Sequence, residues 1–264
     1  MLKNSLIVIF LFLIAGAVFY VTKMPETDDS IASAAEKNVS GAVVVELFTS
    51  EGCSSCPAAE EVFGELLKEY GEKKLPVFFL AYHVDYWNYL GWNDRFSSME
   101  FTQRQQSYAN AFGLQSVYTP QMIVNGQTEF VGSNRSKAEH AIEKVLSSKS
   151  DLQIDLKGCF IQSDSAIKVV YLFSKPSPGV KLNFAVVEQG IARNVTRGEN
   201  AGKRLIHYNV VRAMKSVSEQ EGSEAVIYIP PDVVLENASV IAFAQVEMSM
   251  EILAASSINI ITKP

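Results

Sequence analysis

The sequence predicts an α/β domain over residues 42–149 followed by an all-β sandwich domain over residues 150–264. Three observations predict it. Apolar, β-branched runs alternate with amphipathic helical patterns up to about Ser147, the arrangement that builds a mainly parallel sheet with helices packed on it. Beyond Ser147 the helical periodicity stops, and about seven short alternating or apolar stretches follow, parted by turn signals. The length, 264 residues, suits two units of about 100–150 residues each.

In the first domain, residues 42–48 are apolar and β-branched but for Glu46, as in a buried strand of a parallel sheet. After Cys53-Ser54-Ser55-Cys56-Pro57, the side chains of Ala59, Val62, Phe63, Leu66, Leu67 and Tyr70 fall on one helical face, which Gly71 stops. Residues 76–84 form a second apolar strand, so the crossover is right-handed and its strands parallel. A polar-aromatic loop, residues 83–92, leads to a helix with Phe101, Tyr108 and Phe112 on its apolar side. Ser97 and Glu100 have capping-box spacing for that helix, and Gly113 ends it. Tyr118-Thr119-Pro120 precedes a short strand 121–124, the Asn125-Gly126 turn and a strand 128–131, a strong hairpin signal. A last helix, about residues 137–147, is capped by Ser136 with Glu139 and buries Ala138, Ile142, Val145 and Leu146. The order is β-α-β-α-β-β-α.

In the second domain, strands are expected at 152–161, 166–173, 180–187, 204–211, 225–229, 239–247 and 252–260, with turns at 174–179, 230–232 and 236–237. Strands without a helix read as an antiparallel sandwich of immunoglobulin size. The longest connection, residues 193–204, is basic and contains glycine; it reaches over the first domain, binds an anion, or is a solvated hairpin loop. Leu152, Ile154, Leu156 and Phe160 share one strand face. Strict alternation therefore points Cys159 away from this domain's core, with Gln153, Asp155 and Lys157.

Lys3 precedes an uncharged apolar run over residues 6–21, and Ala15-Gly16-Ala17 offers a cleavage pattern. Residues 1–21 are thus an export signal, or, if uncut, an N-terminal anchor slightly shorter than the ~20 residues that span a bilayer comfortably. Residues 22–41 read as a linker. Either way the bulk of the protein is periplasmic or secreted, and any contact with the inner membrane is made through residues 6–21. The 23 basic and 29 acidic side chains give a net charge of −6 without a basic run, which argues against nucleic acid as a partner. Three cysteines are too few for a disulfide scaffold, and three dispersed histidines leave little for a histidine-rich metal centre.

Chemistry concentrates at Cys53 and Cys56. Open N–H groups at a helix start stabilise a thiolate, and Pro57 is tolerated only in the first turn, which places the cap near Ser54. Cys53 then lies just ahead of the helix with its sulfur exposed, as the attacking thiol. Cys56 lies within the first turn and is more buried, as the resolving one. The loop it would close is too short to stabilise much as a passive crosslink. A second reading uses the two thiolates, with His83 or Asp85, to hold copper or zinc. Glu46 is either a proton acceptor for the buried thiol or an acidic residue in a salt bridge or at an edge. The loop carrying His83, Asp85, Tyr86 and Trp87 follows the carboxyl end of a parallel strand, where ligand crevices form. It is either a platform for a peptide or apolar ligand or a cover for the sheet edge, and His83 alone suits a hydrogen-bonded structural role.

The order of elements, with Cys-x-x-Cys leading a helix and Thr-Pro ahead of an Asn-Gly hairpin, resembles the thioredoxin fold. The resemblance implies a cis peptide between Thr119 and Pro120, a turn beside the sulfurs, and backbone there for an incoming extended segment. The runs 46–57, 83–87, 101–105, 118–122 and 197–202, with Gly91-Trp92, are similar to a bacterial family of secreted thioredoxin-like proteins catalogued as a domain of unknown function. That similarity implies a thioredoxin-like domain joined to a β-rich one and brings no substrate. Gly52 stands where thioredoxin carries Trp, and Ser54-Ser55 where it carries Gly-Pro, which weakens the usual client surface and leaves redox direction open. The expected activity is thiol–disulfide exchange with a protein or small-thiol client and no cofactor beyond the dithiol. The alternative is a redox-gated or metal-holding scaffold without turnover.

Overall fold

The computed structural model describes residues 41–261, apart from 149, 151, 164, 175–177 and 219–222. The signal or anchor expected over 1–21 and all but the last residue of the linker lie outside the described residues. Within them, the first half runs β1 (Val43–Thr49), α1 (Cys56–Glu72), β2 (Val77–His83), α2 (Met99–Phe112), β3 (Gln121–Val124), β4 (Thr128–Val131) and α3 (Arg135–Leu146), the order expected. The helix starts differ from the expected caps by one or two residues. Ser55 rather than Ser54 precedes α1, Ser98 rather than Ser97 caps α2, and the Asn134 side chain caps α3 by accepting from the Lys137 amide. At α2 and α3 the shift follows from which short polar side chain reaches a free N–H of the first turn, while Ser55 makes no side-chain cap and Pro57 fixes the start of α1.

β1 pairs in parallel with β2, Val43 opposite Val77 through Thr49 opposite His83, and antiparallel with β3. The Asn125-Gly126 turn joins β3 to β4 with both residues at positive φ, as an Asn-Gly hairpin requires. Alternation along β1 sends Val43, Val45 and Leu47 toward α1 and α3, where Phe63, Leu66, Ala138 and Ile142 pack. It sends Val44 and Phe48 to the opposite face, against Phe101 and Tyr108 of α2. Each such large apolar side chain removed from water contributes about 1.5–3 kcal/mol.

Among the described residues the second half contains nine strands: β5 (Gln153–Ser163), β6 (Ala166–Ser174), β7 (Val180–Glu188), β8 (Ile191–Asn194), β9 (Arg204–His207), β10 (Val210–Ser218), β11 (Glu224–Tyr228), β12 (Ala238–Val246) and β13 (Ile252–Asn259). The single strand expected over 204–211 is two strands, broken at Tyr208-Asn209, where Asn209 takes a positive φ. The expected boundary at 149/150 does not divide the hydrogen-bonded sheet. The order β13-β12-β7-β10-β2-β1-β3-β4 runs through both halves, with Val210 of β10 beside Ala81 of β2, while β11-β6-β5 forms a separate sheet. The described residues belong to one compact unit. The physical reason is that alternation reports which face is buried, whereas an open edge such as that of β2 takes whatever strand covers it. Among the described residues no helix is long and apolar enough to cross a membrane.

Cys159 corrects a second expectation. It is buried in the core between the two sheets, with Ile167, Val169 and Phe184, while Phe160 is exposed. The β5–β6 register shifts between Leu156 and Gly158. This bulge inserts one residue and reverses the faces beyond it.

Candidate active site

β1 carries the chain to the site and α1 opens it. The Cys53 amide donates to the Ser50 carbonyl at 3.2 Å and the Cys56 amide to the Cys53 carbonyl at 3.2 Å, a tight turn that sets both thiols at the helix start. The Thr119–Pro120 peptide is cis, and the Cys53 thiol lies 3.9 Å from the Thr119 carbonyl and 3.3 Å from the Ser55 hydroxyl. Cys53, Cys56, Thr119 and Pro120, widely separated in sequence, are thus brought together. Both cysteines are free. Hydrogen bonding from Cys56 lowers the Cys53 pKa to about 6, against the opposing effect of burial. Burial first, and then the neighbouring Cys53, push the Cys56 thiol well above its ordinary value. One thiol ionises near neutrality while the other holds its proton.

The Cys53 sulfur is not exposed as expected: the residue is 1% accessible. Trp87 is tied to the same turn, its indole N–H donating to the Thr119 hydroxyl at 2.7 Å. A Cβ at position 52 would come within 3.1 Å of the Trp87 Cβ and 3.3 Å of its carbonyl oxygen, so Gly52 lets that residue approach the turn closely. From the other side comes the 193–204 connection, which is not a free solvated hairpin. Asn200 is fully buried and its side-chain amide donates to the carbonyls of Glu51 and Cys53, both at 2.9 Å. The Glu199 carboxylate accepts from the Ser54 amide at 2.9 Å.

The remaining expected residues divide. Asp85 and Tyr86 are tied to α2: the Asp85 carboxylate accepts from the Thr102 hydroxyl at 2.6 Å, and the Tyr86 hydroxyl donates to the Gln105 side-chain oxygen at 3.1 Å. His83 is fully buried and faces no surface. Glu46 is not beside the thiols. It lies on the α2 face of β1, accepts from the Arg104 Nε at 2.7 Å and pairs with the Tyr108 hydroxyl. The salt-bridge reading of this residue is the correct one, because an even-numbered β1 position faces away from α1.

A buried polar cluster escaped the sequence reading. The Thr49 hydroxyl, which neighbours Cys56, donates to Glu60 Oε1 at 2.8 Å. Glu60 Oε2 meets His207 Nδ1 at 2.5 Å, and His207 Nε2 meets Glu51 Oε1 at 3.1 Å. His83 Nδ1 meets Asp94 Oδ2 at 2.6 Å. Burial alone would lower the His207 pKa, but Glu60 and Glu51 outweigh it and raise it to about 10. Burial likewise works to raise Glu60 and Asp94, yet His207 and His83 respectively hold these carboxyls below their ordinary value. Glu51 also accepts from the Trp92 indole at 2.6 Å and from Arg193 at 3.3 Å. The runs 46–57 and 83–87 and the Gly91-Trp92 pair contain Thr49, Glu51, His83 and Trp92, but nothing in the sequence marks Glu60, Asp94 or His207 as their partners.

A dithiol at a helix start, facing a cis-proline turn on a mixed sheet, defines a thioredoxin-like protein. The chain belongs to the family described as "Protein of unknown function (DUF1223)", whose pattern spans residues 44–245. It is 33% identical over 105 residues to a thioredoxin of Methanocaldococcus jannaschii, covering 39% of this chain and 96% of that protein. A crystal structure of a protein from Agrobacterium tumefaciens superposes with a TM-score of 0.61 at 28% identity, covering 85% of this chain and 96% of that one. A domain of the outer membrane lipoprotein Omp28 from Porphyromonas gingivalis gives a TM-score of 0.24 at 17% identity over 42% of this chain and 88% of that one.

Proposed function

We propose that the protein is an exported thiol–disulfide oxidoreductase in which Cys53 is the nucleophile and Cys56 the resolving thiol. The observation that carries this reading is the opposite displacement of the two thiol pKa values, with Cys53 near 6 and Cys56 well above its ordinary value, beside the Thr119 carbonyl. The Cys53 thiolate attacks one sulfur of a client disulfide. The client S–S bond breaks, one client sulfur leaves as thiolate, and a mixed disulfide forms. Cys56 then loses its proton and attacks Cys53 Sγ, which releases the second client thiol and closes the Cys53–Cys56 disulfide. Two electrons pass to the client, and a small-thiol donor restores the dithiol. The reverse sequence oxidises a client dithiol, and the pair's reduction potential sets the direction.

Export rests on the charge-free apolar run over residues 6–21. The client is a protein or small thiol, and the Thr119–Pro120 turn is its docking edge. The test is insulin-disulfide reduction and glutathione-disulfide exchange by the full chain. Turnover is expected for the natural sequence, loss of it in Cys53→Ser, and an accumulating mixed disulfide in Cys56→Ser. A fully reduced natural chain that exchanges with neither probe overturns the assignment.

A further inference from the structure

We propose that Glu60, His83 and His207 form a buried binding site for one divalent transition-metal ion of the zinc class, separate from the dithiol. The three residues come from α1, the end of β2 and the end of β9. All are buried, and each offers a donor atom within 4.8 Å of the other two. Ligation at about 2.0–2.2 Å would need a modest side-chain movement that parts the Glu60 carboxylate from His207 Nδ1, now in hydrogen-bond contact, and lets an ion sit between them and His83.

The surroundings fit ligation better than a closed ion-pair network. His207 between Glu60 and Glu51 is satisfied as an ion pair, but that pairing leaves His83 unexplained. His83 Nδ1 is taken by Asp94, while its Nε2 is fully buried and has no hydrogen-bond partner. A buried ring nitrogen that meets no hydrogen-bond partner is a position a metal ion can fill. Each histidine also has its other nitrogen held by a carboxylate: His83 Nδ1 by Asp94 and His207 Nε2 by Glu51. Those carboxylates are themselves fixed. Asp94 accepts from the amides of Glu51 at 2.9 Å and Phe96 at 3.0 Å, and Glu51 accepts from the Trp92 indole at 2.6 Å. Such outer carboxylates orient ligating imidazoles and raise their basicity. Phe96 closes the pocket, its ring centroid 5.4 Å from that of His83 and 5.8 Å from that of His207. Two imidazoles and a carboxylate suit zinc and leave at least one coordination position for water or a substrate atom.

The test uses the full chain, stripped with chelator and titrated calorimetrically with zinc chloride, alongside a Cys53→Ser/Cys56→Ser double variant and His83→Gln. One equivalent of zinc is expected to bind the natural chain and the Cys53→Ser/Cys56→Ser variant alike. The His83→Gln chain, checked for an unchanged metal-free fold by circular dichroism, is expected to bind at least about tenfold more weakly. Should His83→Gln not fold, cobalt(II) bound to the Cys53→Ser/Cys56→Ser chain decides. Intense visible d–d bands without a sulfur charge-transfer band support the site, and a spectrum matching aqueous cobalt overturns it. Loss of zinc on removing Cys53 and Cys56, or undiminished zinc binding by folded His83→Gln, also overturns it.

Discussion

Cys53 and Cys56 sit three positions apart and respond to their surroundings in opposite directions, because one is hydrogen-bonded as a thiolate and the other is desolvated. The sign follows for reactivity. Above pH about 6 Cys53 is mostly thiolate, and below it the reactive fraction falls about tenfold per pH unit. Iodoacetamide labelling of the reduced chain, followed by peptide mapping, is expected to modify Cys53 with a rate midpoint near pH 6 and to spare Cys56 at pH 7. Cys159, whose pKa burial pushes up to about 12, is expected to label only after unfolding. A midpoint near 8.5, the ordinary thiol value, would count against the hydrogen-bonded thiolate. At this scale the sequence disclosed what is local: Cys53, Cys56, Thr119 and Pro120. It hid Glu60, Asp94 and His207, since each is an ordinary polar residue until distant segments meet around it. It misplaced Cys159 because no residue pattern announces a one-residue bulge.

The contacts between elements explain two further dependencies. α2 is anchored on β1 by Arg104, which pairs with Glu46 and lies 5.2–5.4 Å over the rings of Tyr82, Tyr108 and Phe243. Removing one partner of a buried pair strands the other charge, so Arg104→Met is expected to cost about 3–5 kcal/mol in urea unfolding. Adding Glu46→Gln is expected to recover part of that loss, whereas additive losses would show the two side chains to be uncoupled. The loop between β8 and β9 acts on the dithiol itself. Asn200 ties the Cys53 carbonyl and is held in turn by the Lys203 ammonium at 2.9 Å. Asn200→Ala frees the backbone around a thiol that is otherwise covered. Its Cys53 is expected to be alkylated several-fold faster at pH 7 with the rate midpoint near pH 6 retained; an unchanged rate means that Trp87 alone controls access. The elements of the first half were legible because a 3.6-residue period, a 2-residue period and an Asn-Gly turn each have one structural solution. The loop's destination was not, because loop residues carry no periodicity to reveal what they touch.

At the scale of the molecule, the decisive feature is the face of the sheet that α2 covers only in part. Val44, Phe48, Leu80, Tyr82 and Ile123 from the first half share one core with Ala185, Val187, Val211, Ile241, Phe243 and Ile252 from the second. Asn125 in the β3–β4 turn spans the same junction. Its side chain accepts from the Val44 amide at 2.6 Å and donates to the carbonyls of Ala42 at 3.2 Å and Ile252 at 3.3 Å. Two sequence segments that read as separate domains therefore complete each other's interior. The length of 264 residues was compatible with either arrangement, since burial patterns say that a face is covered and not by what. A fragment of residues 42–149 would leave the outer edge of β2 open and expose that apolar face. At about 1.5–3 kcal/mol per large side chain returned to water, losing two or three of them approaches the 5–15 kcal/mol that holds a domain together. The fragment is expected to lack a cooperative urea transition and to bind a hydrophobic dye. The chain over 39–264 is expected to unfold in one step, with tryptophan fluorescence from the first half and circular dichroism from the strands of the second half moving together. A fragment that melts cooperatively, or two resolved transitions in the longer chain, would mean that the shared core contributes little and that the boundary at 149/150 is a true domain border.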